Sequence, residues 1–178
     1  MRKLTHQEIS ASRIPREQAG IAPRHPIFAI LDNVRSLYNV GSMFRTADGA
    51  WISELLLSGY TPHPPRKEIE KTALGTTSTV PWRHLRDPAA VIKTVRNEGA
   101  RICLLEHTTG SLSYDRLAKR DFPICLVVGN ELTGVSPEYI AAADMAIEIP
   151  MYGTKQSLNA AVAFGIAVFE MVRILKSE

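Results

Sequence analysis

Ile124-Cys125-Leu126-Val127-Val128-Gly129-Asn130-Glu131-Leu132-Thr133-Gly134-Val135-Ser136-Pro137 is the stretch from which the architecture can be read. Its first five residues are apolar without alternation, as in a strand covered on both faces. Gly129 stands directly at the end of that run, where the missing side chain lets a ligand approach the backbone. Ser136-Pro137 then places an N-cap residue before a proline at the first helical position, so a helix begins there. A strand, a glycine-containing loop and a helix in this order form one unit of a parallel α/β sheet.

The same grammar recurs on either side. Apolar runs at 27–31, 55–59, 102–105 and 145–149 give four more strands, and Asp87-Pro88 is a second capped helix start. Strand–helix alternation predicts a parallel sheet with helices on both faces. Thr61-Pro62-His63-Pro64-Pro65-Arg66 must be a loop, because clustered prolines break any regular element. From Leu158 to Leu175 apolar residues occupy nearly every helical face, among them Val162, Phe164, Ile166, Val168, Phe169 and Met171. A helix that is apolar all round cannot face water along one side. It is expected to pack on the sheet and on a second subunit, giving a homodimer.

With 178 residues, 45% hydrophobic and 22% charged, the chain suits one well-buried core. No apolar run approaches the roughly 20 residues of a membrane span. The polar start Met1-Arg2-Lys3-Leu4-Thr5-His6 lacks the apolar core of a secretory signal, so a cytoplasmic protein is expected. Cys103 and Cys125 lie inside apolar runs and read as reduced core residues. No cysteine or histidine pair has metal-ligand spacing, so no metal is expected. The net charge is +3, and residues 1–26 carry all of it: Arg2, Lys3, Arg13, Arg16 and Arg24 stand against Glu8 and Glu17. This divides the chain into a basic arm, 1–26, and a domain, 27–178. A basic arm on a neutral globule suits a polyanion or is simply a solvated tail.

Three segments carry candidate chemistry. The first, from Asn33 to Ala47, follows the first strand and contains Asn39 and Arg45. These are six residues apart, so a regular helix would spread them around its axis, whereas a loop at Asn39 could bring them together. The second is the Gly129-Asn130-Glu131 loop, in which Glu131 is a base, a ligand contact or a turn acid. It is not a phosphate loop, since Gly134 is followed by Val135-Ser136, and the chain has no Gly-x-Gly-x-x-Gly. The third runs from Ile147 through Gly153 to Ala161, placing Ser157 and Asn159 at a helix start, where capping accounts for one of them.

These three segments, in this order, resemble the signature motifs of the SpoU (TrmH-type) family within the SPOUT methyltransferases. The resemblance covers about 27–173. It implies an α/β, parallel-sheet SPOUT methyltransferase fold with a C-terminal deep trefoil knot, which periodicity does not show and which general rules on connections would reject. It implies catalytic roles for Asn39, Arg45, Glu131, Ser157 and Asn159, and a homodimer. It also implies S-adenosylmethionine as cofactor, held by Glu106, Gly129, Ile149, Met151, Ser157 and Leu158. The reaction implied is methylation of a ribose 2′-hydroxyl of transfer RNA or ribosomal RNA. The family assigns activation of that hydroxyl to the arginine matching Arg45, although a guanidinium normally stays protonated. It therefore either loses a proton transiently or clamps a phosphate.

RNA as partner also fits Arg66, Lys67, Lys71, Arg83, Arg86, Lys93, Arg96 and Arg101, which four acids oppose. Tyr60 and Trp82 can stack on bases, though a solvated face with a core tryptophan is the simpler expectation. Two alternatives stand beside this reading: a flavodoxin-like nucleotide-handling enzyme, and a non-catalytic RNA-binding protein retaining the fold.

Overall fold

The computed structural model describes residues 1–177; Glu178, the last residue of the expected domain, lies outside them. Seven strands form one sheet: β1 (His25–Asp32), β2 (Ile52–Ser58), β3 (Trp82–Leu85), β4 (Arg101–Leu105), β5 (Leu112–Ser113), β6 (Ile124–Val128) and β7 (Met145–Glu148). Their spatial order is β3-β2-β1-β6-β4-β7-β5 and every pairing is parallel. The five expected strands are all present, with ends shifted by a few residues. β3 and β5 are additions to them. The first reads Trp-Arg-His-Leu at a sheet edge, and the second has two residues with Leu112 exposed. Neither has the continuous apolar run that marks a doubly covered strand.

The helices are α1 (His6–Ala11), α2 (Leu37–Gly49), α3 (Lys67–Ala73), α4 (Pro88–Asn97), α5 (Pro137–Ala142) and α6 (Ala160–Lys176). Strand alternation sorts the core into two layers. Ile27, Ala29 and Leu31 of β1 pack with α2, α3 and α6, while Phe28 and Ile30 pack with α4 and α5. Both layers are almost completely dry, which is why the strands look uniformly apolar. Trp82 belongs to the first layer: its ring meets Phe44 edge-on at 6.1 Å, and its indole N–H donates to the Thr77 carbonyl at 3.2 Å. Both cysteines are free and buried, and burial pushes the Cys103 thiol up to about 12.

Gly41 fixes the seat of α2. A Cβ there would lie 2.1 Å from Thr72 Oγ1 and 2.3 Å from the Ile69 carbonyl oxygen, so α2 and α3 meet backbone to backbone. α6 has the core face that was expected and a second apolar side that is left uncovered in the single chain. Phe164, Val168 and Met171 are fully buried against the sheet, whereas Val162 and Phe169 remain 52% and 51% exposed on the opposite side.

The first strand already begins at His25, and the Pro23 carbonyl accepts from the Trp51 indole N–H at 2.9 Å, so the arm proper ends before residue 23. Two arginines tie it to the domain. Arg16 donates to the Gly75 carbonyl at 3.0 Å and to Ser78 Oγ at 3.3 Å. Arg24 lies over the Trp51 ring at 3.9 Å and donates to the carbonyls of Ala19, Ile52 and Thr79. α1 buries nothing, and Arg2 pairs with Glu8 on its surface.

Candidate active site

The loops that leave the carboxyl ends of β4, β6 and β7 enclose a cleft of about 420 Å³ with the start of α6. Ligands of open α/β sheets bind at such strand ends. Glu106, Gly129, Ile149, Met151, Ser157 and Leu158 all line this one cleft.

The loop after β6 is held by its own backbone. Asn130 and Gly134 exchange two main-chain hydrogen bonds of 3.0 Å, and Gly134 takes φ +71°, a conformation favoured by glycine. A Cβ on Gly129 would come within 2.3 Å of the Gly134 carbonyl carbon, and one on Gly134 within 2.4 Å of Glu106 Oε2. Glu106 in turn accepts from the Val135 amide at 3.1 Å and the His107 amide at 2.9 Å, tying the β4 loop to the β6 loop. Asn130 is the buried organiser. Its Oδ1 accepts from the amides of Leu132 and Thr133, and its Nδ2 donates to the Asn33 carbonyl at 2.7 Å and to Tyr60 Oη at 2.8 Å. The motif reading does not single it out, though a polar residue directly after a strand-end glycine is the available signal.

Glu131 projects from this loop onto the start of α2. Its Oε2 accepts from the Arg35 amide at 2.9 Å, and its Oε1 accepts from the Ser36 amide at 3.1 Å and from Asn39 Nδ2 at 3.0 Å. Partial burial works to raise its pKa, but these donors outweigh burial, and the net shift is downward. An ionised carboxylate at a helix start also gains from the helix dipole. In this arrangement the Glu131 carboxylate ties the β6 loop to the start of α2.

Asn39 continues the chain of contacts. Its Oδ1 accepts from Asn159 Nδ2 at 3.1 Å, and Asn159 Oδ1 caps α6 by accepting from the amides of Ala161 and Val162. Three segments far apart in sequence thus meet through Glu131, Asn39 and Asn159. Ser157 lines the cleft and is exposed. The surrounding residues 150–158 make no hydrogen bond with the rest of the described chain, so their polar groups face the cleft or solvent.

Arg45 stands apart. α2 is regular from Leu37 onward, with Ser36 as its N-cap, so no loop conformation at Asn39 turns the two residues together. At about 100° per residue they point roughly 120° apart. Arg45 is exposed, has no hydrogen-bond or ion-pair partner among the described residues, and lines a separate shallow depression with Lys71, Leu74 and Phe169.

Other polar groups secure the strand ends. Asp32, fully buried at the end of β1, accepts from the Ser136 amide at 2.7 Å and from its hydroxyl, and from Asn33 Nδ2 at 2.9 Å. Burial raises its pKa, and the Ser136 bonds oppose that rise. At the cleft rim Glu148 accepts from Ser111 Oγ at 2.5 Å and from His107 Nδ1 at 3.3 Å, which lowers its pKa. Among the described residues no cluster of three or more His, Cys, Asp or Glu side chains can hold a metal, and no helix is long and apolar enough to cross a membrane.

An all-parallel sheet, covered on both faces and carrying a ligand-sized cleft over its central strand ends, defines the class of small-molecule-binding α/β domains. Within that class the chain belongs to the SpoU rRNA methylase family, whose sequence profile it matches over residues 26–169. It is 34% identical over 148 residues to the tRNA (guanosine(18)-2′-O)-methyltransferase of Aquifex aeolicus, covering 83% of this chain and 69% of that enzyme. It is 31% identical over 149 residues to the 23S rRNA (guanosine-2′-O-)-methyltransferase RlmB of Vibrio parahaemolyticus, again 83% of this chain but 59% of the relative. The AdoMet-bound rRNA methyltransferase of Sinorhizobium meliloti superposes with a TM-score of 0.80 at 32% identity, covering 89% of this chain and 60% of that one. The chain thus spans about three fifths to seven tenths of these relatives.

Proposed function

We infer that the protein transfers a methyl group from S-adenosylmethionine to a ribose 2′-hydroxyl of RNA. The observation that carries this reading is the hydrogen-bonded line Glu131–Asn39–Asn159, which joins three separate segments at the edge of a nucleoside-sized cleft. Family membership and the named activities of the relatives support it, and neither alternative reading receives such support.

The cleft suits the cofactor chemically. Leu105, Val128, Ile149, Met151 and Leu158 offer apolar walls for a purine, and the strand-end loops offer backbone polar groups. Gly129 and the 149–158 segment would hold it, with Glu106 bracing the wall. Bound there, S-adenosylmethionine supplies a methyl carbon already activated by its sulfonium, so the protein's task is mainly alignment. With cofactor and RNA in place, these residues would align the ribose 2′-oxygen with that carbon, and the hydroxyl proton would pass to water. Glu131, held ionised by three donors, fixes the loop; Asn39 and Asn159 fix the start of α6; Ser157 faces the reacting groups.

Arg45 acts as the phosphate clamp that orients the hydroxyl, since a guanidinium keeps its proton. In a single chain it lies outside the cleft, beside Phe169 on the uncovered side of α6. A homodimer through that side covers Val162 and Phe169 and carries Arg45 toward the partner copy's substrate. A C-terminal trefoil knot belongs to the same proposal. Family likeness supports it, as does the path of α6, which returns from the β7 loop across β4, β6 and β1 to reach α2. Relatives named for transfer RNA and for ribosomal RNA are matched to a similar extent, 69% and 70% of their lengths, so the substrate is a transfer or ribosomal RNA. The compartment is the cytosol. The N-terminal arm adds RNA contacts through Lys3 and Arg13, with Arg16 and Arg24 anchoring it and Arg2 paired with Glu8. Mass spectrometry of RNA nucleosides from a deletion strain tests the function: one 2′-O-methyl mark should be missing, and an unchanged spectrum would refute it.

A further inference from the structure

The eight basic residues from Arg66 to Arg101 are not equivalent once folded. Arg83 pairs with Glu54 at 2.6 Å, Arg96 with Asp144 at 2.6 Å and Arg101 with Asp121 at 2.7 Å. Arg66 and Arg86 have no acidic partner among the described residues, yet both line one depression of about 580 Å³ at the carboxyl ends of β2 and β3. The acid next to Arg86 in sequence, Asp87, is engaged elsewhere: it caps α4 by accepting from the Ala89 amide at 3.0 Å.

Rings line the same depression. Tyr60 is 63% exposed, and His63 lies against His84 with centroids 4.5 Å apart and planes tilted by 31°. His63 Nδ1 donates to the Pro64 carbonyl at 2.8 Å and His84 Nε2 to the Gly59 carbonyl at 3.1 Å. Each ring is thereby fixed in orientation and keeps its second nitrogen for a ligand. Tyr60 is fixed as well: its amide donates to Asn33 Oδ1 at 3.1 Å, and its hydroxyl accepts from Asn130 Nδ2. Asn130 also lines the cofactor cleft, so the depression and the cleft share a wall.

Free guanidiniums beside fixed, exposed ring faces match the two parts of an unpaired nucleotide, its phosphate and its base. We propose that this depression binds an unpaired nucleotide of the substrate RNA next to the methylated one, its phosphate on Arg66 and Arg86 and its base on Tyr60. The proposal rests on the RNA reading above but names a contact surface that the cleft itself does not contain. It also separates Arg66 and Arg86 from the six other basic residues of that stretch.

The test is titration of the full chain with a fluorescein-labelled RNA stem-loop carrying an unpaired loop, at several salt concentrations. Arg66→Ala/Arg86→Ala should weaken binding and reduce the salt slope of log affinity by roughly 0.7 to 0.9 for each phosphate no longer neutralised. Tyr60→Ala should weaken binding roughly 5- to 150-fold, the range for removing one base–aromatic stack. Tyr60→Phe, which keeps the ring and removes only the bond to Asn130, should retain most of the affinity. S-adenosylmethionine affinity, read by calorimetry, should be unchanged in the double arginine variant and shows that it is folded. Unchanged RNA affinity and unchanged slope in that variant would overturn the proposal. Methyl transfer is a separate readout: its absence in the wild-type protein would overturn the proposed activity, while the binding comparison would still decide the depression.

Discussion

The two ends of the first signature segment are treated in opposite ways by the fold. Asn39, at the start of α2, is bonded on both sides, to Glu131 and to Asn159. Arg45, two turns on, touches no polar partner among the described residues and sits beside an uncovered phenylalanine. A fully paired polar network is rigid and needs nothing further, whereas an unpaired guanidinium beside exposed apolar surface is a half-built site. On the proposed function, the contrast divides the work: one chain prepares the cofactor side of the chemistry, and RNA with a second copy would complete the substrate side.

The largest expected effect breaks the open half. Arg45→Ala should reduce methyl transfer by about 10²- to 10³-fold, the scale for losing one aligned charged donor. S-adenosylmethionine binding measured by calorimetry should remain nearly intact, because Arg45 lies outside the cleft. Equal loss of both in a folded protein would place Arg45 wrongly.

Next in size is the α6 surface. Phe169→Asp should turn a dimer into a folded monomer in light scattering and abolish transfer with it. Val168→Glu is the contrasting variant: Val168 is fully buried, so an unpaired carboxylate there costs several kcal/mol and should unfold the chain. A wild-type monomer at micromolar concentration would remove the dimer and the role given to Arg45 together.

The closed half is probed through Glu131. Its folded pKa is lowered, so its contribution to stability is present above the ordinary carboxylate range and is lost as pH falls through the folded value. Acid titration of thermal stability should therefore show a smaller loss below about pH 4.5 in Glu131→Gln than in the wild type. Parallel curves would mean that the clamp contributes nothing.

The fold is legible in the sequence wherever burial writes a simple pattern. The five central strands stand out because both faces are dry, and the Ser136-Pro137 and Asp87-Pro88 starts can be read directly. The edge strands β3 and β5 are not legible, since an edge carries no continuous apolar run. Of the site, the segments holding Glu131, Asn39 and Asn159 are visible as motifs, but their mutual contacts are not, because they depend on tertiary approach across some hundred residues. A loop at Asn39 is a wrong solution to a real problem: the helix is regular, and Arg45 faces elsewhere. The apolar circumference of α6 correctly indicates a core face and a second, apolar one, yet it cannot say which is which, so Val168 and Phe169 look equivalent in sequence.

The smallest effect belongs to the arm. With Arg16 and Arg24 bonded to the domain and Arg2 paired with Glu8, only Lys3 and Arg13 are available to RNA. Neutralising those two should reduce the salt slope by roughly 0.7 to 0.9 for each phosphate they engage. Parallel titration lines would leave the arm a structural role alone.

The most direct measurement incubates the purified protein with RNA and S-adenosylmethionine bearing a deuterated methyl group, then digests the RNA for mass spectrometry of its nucleosides. A labelled nucleoside whose extra mass resides on the ribose should be formed by the wild type and not by Arg45→Ala. Label on a base, or no label on any RNA while the cofactor still binds, would contradict ribose 2′-O-methylation.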